Sequence, residues 1–510
     1  MKKQLYVLTA LLMAASMVLA ACGATPTAAP ATAAPATAAP ATAAPATEAP
    51  ATEPAVPPTP TPYPVASCQA GKTCVRVFVG LGGGTSPAEI AVEEAIAADF
   101  NASQDAIQMI LEVVPHGAGR DTLATEMAAG NGPDIVGPVG WAGSNEFYGQ
   151  WLDLAPLIAS NNFDTSIWDP ALVSFYQVEG EQVGLPFGIF PGGIFYIPAM
   201  FDEVGLAYPP SKYGDKYTLD GVQVDWNWDT VTKVAKLLTI DINGKNSTEA
   251  GFDATQIVQV GYNAQWQSGQ SIATFYGGAS SIYAGTPGAY TAAIPESWKK
   301  AWQWYYDGMW GPQPFIANGP LASSTEFGAG NVFNSGKAAM GLTQTWYTCC
   351  LADLVNAGVE WQVGIQPMGN NDGVIDGKVH GRVDADTFRI WKGTKNPDAA
   401  FKVLAYWITS GGDRMLTAMG AVPALTSKID AFFAAKALQY PDVTPESWAV
   451  FKAGTKYPDR PSAEGWMPGN NTEDSARIGT FINLLNTSPG LDFNTEFQKL
   501  QDDLTVIFNK

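Results

Sequence analysis

Apolar positions along this chain fall into three regimes. Leu5 to Ala21 is apolar with a few small polar interruptions, follows Lys2 and Lys3, and ends in small residues, the pattern of a secretory signal peptide. The run falls short of the ~20 apolar residues that a membrane span needs. From Cys22 to about Ala66 the repeats of Ala-Thr-Ala-Ala-Pro and the Pro- and Thr-rich sequence after them offer nothing to build a core. They favour extended polyproline II at ~3 Å per residue, a tether on the order of 100 Å long. From Val75 onward the pattern is that of packed elements.

Val75 to Val79 alternates as a strand and runs into Gly80-Leu81-Gly82-Gly83-Gly84. Ser86 and Glu89 then form a capping box with Pro87 between them, which predicts a helix from Pro87 to about Phe100. Ile107 to Val114 reads as a strand, Arg120 to Ala129 as a helix, and Gly132 to Val136 closes a third unit. Strand and helix in alternation argue for parallel α/β layers with functional loops at the strand ends. Asp229–Thr239, Glu296–Met309 and Pro397–Thr409 carry apolar residues at three-to-four spacing and read as amphipathic helices. The stripe Trp298, Trp302, Tyr305 and Met309 is expected in the core. The Gly-, Tyr- and Trp-rich stretch Gly261 to Tyr290 is expected to turn some rings toward a cleft.

Composition narrows the setting. Leu19-Ala20-Ala21-Cys22 has the form at which bacterial lipoproteins are cleaved and diacylated, so Cys22 is read as a lipid anchor on the outer face of the cytoplasmic membrane. The ~440 residues beyond the linker exceed one core of typical size and suggest two lobes. The chain has 28 basic and 48 acidic side chains and a net charge of −20, which argues against nucleic acid as a partner. An exported chain can oxidise its thiols. Cys68 and Cys74 flank a turn-like segment and are expected to pair. The adjacent Cys349 and Cys350 either pair with each other or stay reduced in a helix.

Tests for catalysis return little. The glycine run lacks the third glycine of a dinucleotide fingerprint, with Thr85 in its place, and Phe333-Asn334-Ser335-Gly336-Lys337-Ala338 lacks the upstream glycine and the hydroxyl of a phosphate loop. Only His116 and His380 are present, which leaves few imidazoles for a metal site or a triad. Carboxylates are abundant, so a secreted glycoside hydrolase stays as a minor alternative without positive support. Asp241-Ile242-Asn243-Gly244-Lys245-Asn246 with Asp253 resembles a calcium loop, but Lys245 and Phe252 stand where oxygen ligands are usual. An Asx-rich turn fits this segment better, and a structural calcium on Asp241, Asn243 and Asp253 is the alternative. No cofactor is otherwise required.

Five blocks in order resemble family 1 extracellular solute-binding proteins, the maltose-binding-protein-like receptors of ABC importers. They are Leu123–Val136 ending in Gly132-Pro133-Asp134; Gly184-Leu185-Pro186-Phe187-Gly188 with Ile194–Pro198; Phe333–Met340 with Trp346; Asn396–Phe401; and Gly420–Ala424. Ile197-Pro198, the insertion Tyr208 to Val224 and the vicinal cysteines depart from the family pattern. The resemblance implies an α/β, two-lobed, type II periplasmic-binding-protein-like fold with hinge-crossing segments. Lobe 1 would take 75–187 plus 380–420, and lobe 2 would take 188–379 plus 421–510, after a signal peptide at 1–21 and an anchor and linker at 22–66. A monomeric receptor, closing on a solute and presenting it to membrane permease subunits, is the implied function. The polyols, glycerol phosphate and polyamines carried by the family are alternatives to a sugar.

Aromatic richness favours a sugar, because pyranose faces pack on Trp and Tyr rings while amides and carboxylates meet the hydroxyls. The candidate ligand-binding residues are Thr85 and Trp141 from lobe 1, and Trp266, Trp346, Tyr347 and Trp466 from lobe 2. Arg382, Asp384 and Asp386 join them from the lobe crossing, either as hydroxyl partners or as a hinge salt bridge. Cys349 and Cys350, just past Trp346, would pack against a sugar face if bonded.

Overall fold

The computed structural model describes residues 63–510 apart from 372–373, 458–461, 463 and 470. The expected signal peptide, the Cys22 anchor and most of the linker lie outside the described residues. Strands β1 (Thr73–Val79), β2 (Ile107–Val113) and β3 (Ile135–Val139) are parallel, with β1 between the other two. Helix α1 (Pro87–Ser103) returns the chain from β1 to β2. Its start carries both halves of the capping box: Ser86 Oγ accepts from Glu89 N, and the Glu89 carboxylate accepts from Ser86 N at 3.1 Å. Helix α2 (His116–Ala128) begins four residues earlier than the apolar spacing suggests, and in its first turn a β-carbon on Gly119 would lie 2.3 Å from Gly80 O, so only glycine fits there.

Two long strands join this half to the rest. β4 (Gly188–Tyr196) is buried along its whole length, which fits its apolar and glycine-only sequence. Its first residues, Gly188 to Pro191, pair with Val383–Asp386 of β8 (Val383–Ile390) and, at Gly188 and Ile189, with β9 (Val422–Pro423). Its last five pair with β6 (Met340–Gln344), and Ile194–Tyr196 also with β7 (Gln362–Gly364). β8 continues the other way, from β4 onto β3. Among the described residues this makes a nine-stranded sheet in the order β5–β6–β4–β8–β3–β1–β2, with β5 at Asn263–Ala264 and with β7 and β9 on β4. No helix among the described residues is long and apolar enough to cross a membrane.

The buried apolar side chains form two clusters. One holds Val75, Val77, Ile96, Phe100, Phe388 and Trp407, between β1–β3 and the helices Pro397–Tyr406 and Asp413–Met419. The larger one holds Trp228, Tyr262, Phe275, Trp298, Trp302 and Phe451 and reaches Phe78 and Val139 on the far face of the first strands. The stripe expected on helix Glu296–Trp310 is core: Trp298, Trp302, Tyr305 and Met309 are all buried. The stretch Gly261 to Tyr290 corrects its expectation. Its helix Gly269–Gly277 is buried at every position, and Trp266 alone of its large rings is exposed.

Smaller segments follow from local chemistry. The insertion after Tyr208 forms the hairpin Lys216–Leu219 with Val222–Asp225, anchored by Tyr217 on Trp226 at 5.1 Å. Cys68 is bonded to Cys74, and Cys349 to Cys350. The segment after Asp241 folds as an Asx-rich turn. Asp241 Oδ1 accepts from the amides of Asn243 and Lys245, and Oδ2 from Asp253 N, so the carboxylate organises an Asx turn. Among the described residues no group of acids, histidines and cysteines has the makings of a metal site.

Glu93 in α1 is fully buried, and neither carboxylate oxygen has a hydrogen-bond partner. Burial, aided by Glu89, pushes this carboxyl up to about 9. Between the ordinary carboxylate range and pH 9 the folded chain therefore holds a proton that the unfolded chain has released, so stability falls as pH rises through that window. Glu93→Gln should leave the melting temperature near wild type at pH 4 and raise it by a few degrees at pH 9. Thermal unfolding of both proteins across that range measures the difference.

Candidate functional site

β4 and β8 form the floor of a cleft at the seam of the sheet. A cavity there has a volume of ≈ 320 Å3, at the lower end of the ~300–1,000 Å3 usual for small-ligand sites. Leu81–Gly83 after β1 and Gly140–Gly143 after β3 frame it from one side, as strand-end loops do in α/β folds. Trp346 and Cys349 after β6 contribute from the other half, and Asp384 and Asp386 of β8 lie beneath. The glycine run serves this wall. A β-carbon on Gly82 would lie 2.5 Å from Pro138 O, and one on Gly143 would lie 2.5 Å from Leu81 O. Only glycines let the two loops meet.

Trp141, 7 % exposed, borders this cavity and two adjoining ones. The guanidinium of Arg389 lies 4.5 Å from its ring centre, Tyr176 stacks at 6.3 Å, and Phe175 meets it edge-on. Arg389 is fully buried and donates to Val183 O at 2.8 Å and to Ser144 Oγ at 3.1 Å. Burial lowers its pKa to about 10, so it stays charged at neutral pH. Cation–π contact with Trp141 offsets part of the desolvation.

Trp346 is half-buried and lies parallel to Trp266, with ring centres 6.1 Å apart and planes 8° apart. Trp266 is 51 % exposed and adopts a left-handed backbone with φ 54°. Such a conformation costs on the order of 1 kcal/mol or more outside glycine. The stack and a 2.9 Å bond from Trp266 Nε1 to Gly330 O hold it. Trp266 backs Trp346 and borders none of these cavities. Cys349 is exposed at the cleft, whereas half-buried Cys350 turns its carbonyl to Asn331 Nδ2 at 3.0 Å.

Two expectations are corrected, those for Tyr347 and Thr85, and Arg382 takes its salt-bridge alternative. Tyr347 is a core residue, packed against Phe195 and Phe333, with its hydroxyl donating to Asn331 and accepting from Asn334 N. Thr85 does not reach the cavity; Glu89, one helical turn on, does. Arg382 is buried behind the wall. Its Nη2 lies 2.6 Å from Asp384 Oδ1 and also pairs with Glu464, while Nη1 donates to Ser271 Oγ. It is an anchor joining β8, the helix Gly269–Gly277 and the Glu464 loop. Trp466, from the same loop, stands in a neighbouring cavity with Trp141 and Phe175, its ring 5.2 Å from Tyr148.

Asp386 is 8 % exposed. Its carbonyl accepts from Tyr176 Oη at 2.8 Å and from Phe187 N, but among the described residues nothing donates to its carboxylate. Burial, and then the neighbouring Glu464, push that carboxyl up to about 7. Glu89, Phe175 and Glu464 were not singled out as site residues. Glu89 carries a capping signal that masks a second role, and Glu464 stands in an irregular loop without periodicity.

A family model for bacterial extracellular solute-binding protein matches residues 84–414. The chain belongs to this family. Its architecture is that of two-lobed, type II periplasmic-binding-protein-like receptors. An ABC substrate-binding protein from Listeria monocytogenes, solved with cycloalternan, superposes with a TM-score of 0.63 at 15% identity over 85% of this chain and 98% of that one. UspC from M. tuberculosis gives 0.61 at 20% identity over 85% and 100%. The cyclic alpha-maltosyl-1,6-maltose binding protein of Arthrobacter globiformis gives 0.58 at 16% identity over 86% and 100%. At these identities the likeness is one of fold. No curated protein matches the sequence. As a member of the family, this solute-binding protein works outside the cytoplasm.

Removing the anchor separates structure from binding. Arg382→Met should destabilise this solute-binding protein by about 3 kcal/mol, because it removes the buried guanidinium that contacts both Asp384 and Glu464. A fall in the urea midpoint at unchanged slope would show this.

Proposed function

We propose that this receptor captures a saccharide in the cleft between its lobes and passes it to an ABC permease. The observation that carries the reading is that Trp141, from the β1–β3 half, and Trp346, from the β4–β7 half, border one cavity above the carboxylates of Asp384 and Asp386. Ring faces for the sugar's C–H surface and acceptors for its hydroxyls stand together there. Fold neighbours solved or named with cycloalternan and with cyclic maltosyl-maltose support a carbohydrate.

The lobes are taken as 75–187 with 380–420 and 188–379 with 421–510, with β4 and β8 as crossings. A ligand that touches both favours the closed state, which the permease reads. Contacts already span the cleft: Asn145 Nδ2 donates to Glu464 O, and Trp466 packs on Tyr148. A lipid on Cys22 and the 22–66 linker would hold a monomer near the membrane, with no cofactor needed. The vicinal disulfide offers a rigid, weakly polar surface beside Trp346.

Melting of the purified protein against mono- and oligosaccharides, polyols, polyamines and peptides tests the reading, since a ligand at 100 times its Kd adds ~2.7 kcal/mol. A shift with a saccharide and no product release is expected; shifts with non-sugars only would overturn the sugar, and turnover would overturn the receptor in favour of a hydrolase. Trp346→Ala should weaken the saccharide about tenfold, ~1.4 kcal/mol. Replacing Cys349 and Cys350 together by serine should weaken it several-fold in titration calorimetry; unchanged affinity would remove the disulfide from the site.

A further inference from the structure

We propose that the solute carries a protonated amine, seated on the Asp386 carboxylate at the floor of the cleft. The inference rests on the saccharide reading above and names the kind of saccharide, an amino sugar.

Among the described residues the acid and base side chains that border the cavity over Asp386 are all acids: Glu89, Asp384, Asp386 and Glu464. Among the described residues no lysine, arginine or histidine borders it. Arg382 lies behind the wall and is shared between Asp384 and Glu464. Glu89 is held by the amide of Ser86. Asp386 has neither: it is more than nine-tenths buried, opens onto the cavity, and receives no hydrogen bond from the described residues. A β-carbon on Gly140 would come to 3.1 Å of Asp386 Oδ1, so the nearest wall beside this oxygen is bare main chain. With that carboxyl pushed up to about 7, its ionised form near neutral pH needs a donor and a compensating charge, and a cation seated beside it would draw it into that form. A sugar hydroxyl supplies only the first, whereas an ammonium supplies both. The Trp346 ring at the cavity wall favours a cation and a pyranose ring alike.

The adjoining cavity has a different character. Arg120 and Glu146 there pair with each other, and Asn145, Gln267, Gln270 and Asn483 contribute uncharged amides. That lining suits neutral hydroxyls. The amine is therefore placed in the cavity over Asp386, and any further sugar unit beyond Glu464.

Three β-1,4-linked disaccharides differ in the group at C2: cellobiose (hydroxyl), N,N′-diacetylchitobiose (acetamide) and its fully deacetylated form (ammonium). Calorimetric titration of the protein and of Asp386→Asn with each, and with spermidine as a cation that is no sugar, tests the seat near pH 7. The deacetylated dimer should bind at least ~10-fold more tightly than the other two, and Asp386→Asn should bring the three within ~3-fold of one another. Equal binding of the three by the wild-type protein would overturn the ammonium seat and leave the saccharide receptor standing, as would a preference that survives Asp386→Asn. Binding of spermidine alone, lost in Asp386→Asn, would uphold the seat and overturn the saccharide. Failure of every amine to bind would overturn the seat.

Discussion

The register of Val383–Asp386 against Gly188–Pro191 is the constraint on which the site depends. Those four pairs join the two halves of the sheet and, because side chains alternate along a strand, put Asp384 and Asp386 on one face. A slip of one residue would turn both carboxylates away from the cleft and bring Val383 and Ala385 toward it. The slip is resisted from both ends. β4 is buried throughout and continues into β6 and β7, while β8 continues onto β3, so neither strand can shift without breaking pairs in the other half.

Around that seam the charges are arranged in layers. Two arginines stand behind the cleft, each buried, each directed by oxygen acceptors or an aromatic face. Arg382 ties the crossing strand to the Gly269–Gly277 helix and the Glu464 loop; Arg389 supports Trp141 from behind. The carboxylates stand in front. Desolvation is costly for all of them, and it is offset by pairing for Asp384 and Glu464 but not for Asp386. The difference between those neighbours, two residues apart on one strand, is what distinguishes the floor of this cleft from an ordinary hinge salt bridge.

Aromatic rings divide between two tasks that their local patterns do not separate. Trp298 and Trp302 are helical and buried, whereas Trp141 and Trp346 follow strand ends, where a chain leaving the sheet presents side chains to the cleft. Trp266 belongs to neither group. It accepts a left-handed backbone to stack on Trp346, and Tyr347, adjacent in sequence to that platform, turns inward to Phe195 and Asn331.

The sequence by itself determined the parallel α/β units at the start of the chain, the capped helix after the glycine run, the core stripe of Trp298 to Met309 and the blocks that resemble the family. Those features are carried by short-range periodicity, capping and turn chemistry, which survive in a one-dimensional string. It also pointed to Trp141, Trp346, Asp384 and Asp386, since strand ends and crossings are where cleft residues arise. Only the tertiary structure decided which of them meet. Tyr347 and Arg382 go into the interior, Thr85 gives way to Glu89, and Glu464 arrives from a loop about eighty residues beyond the crossing. Burial and pairing depend on what the remote chain brings alongside, and no local pattern records that.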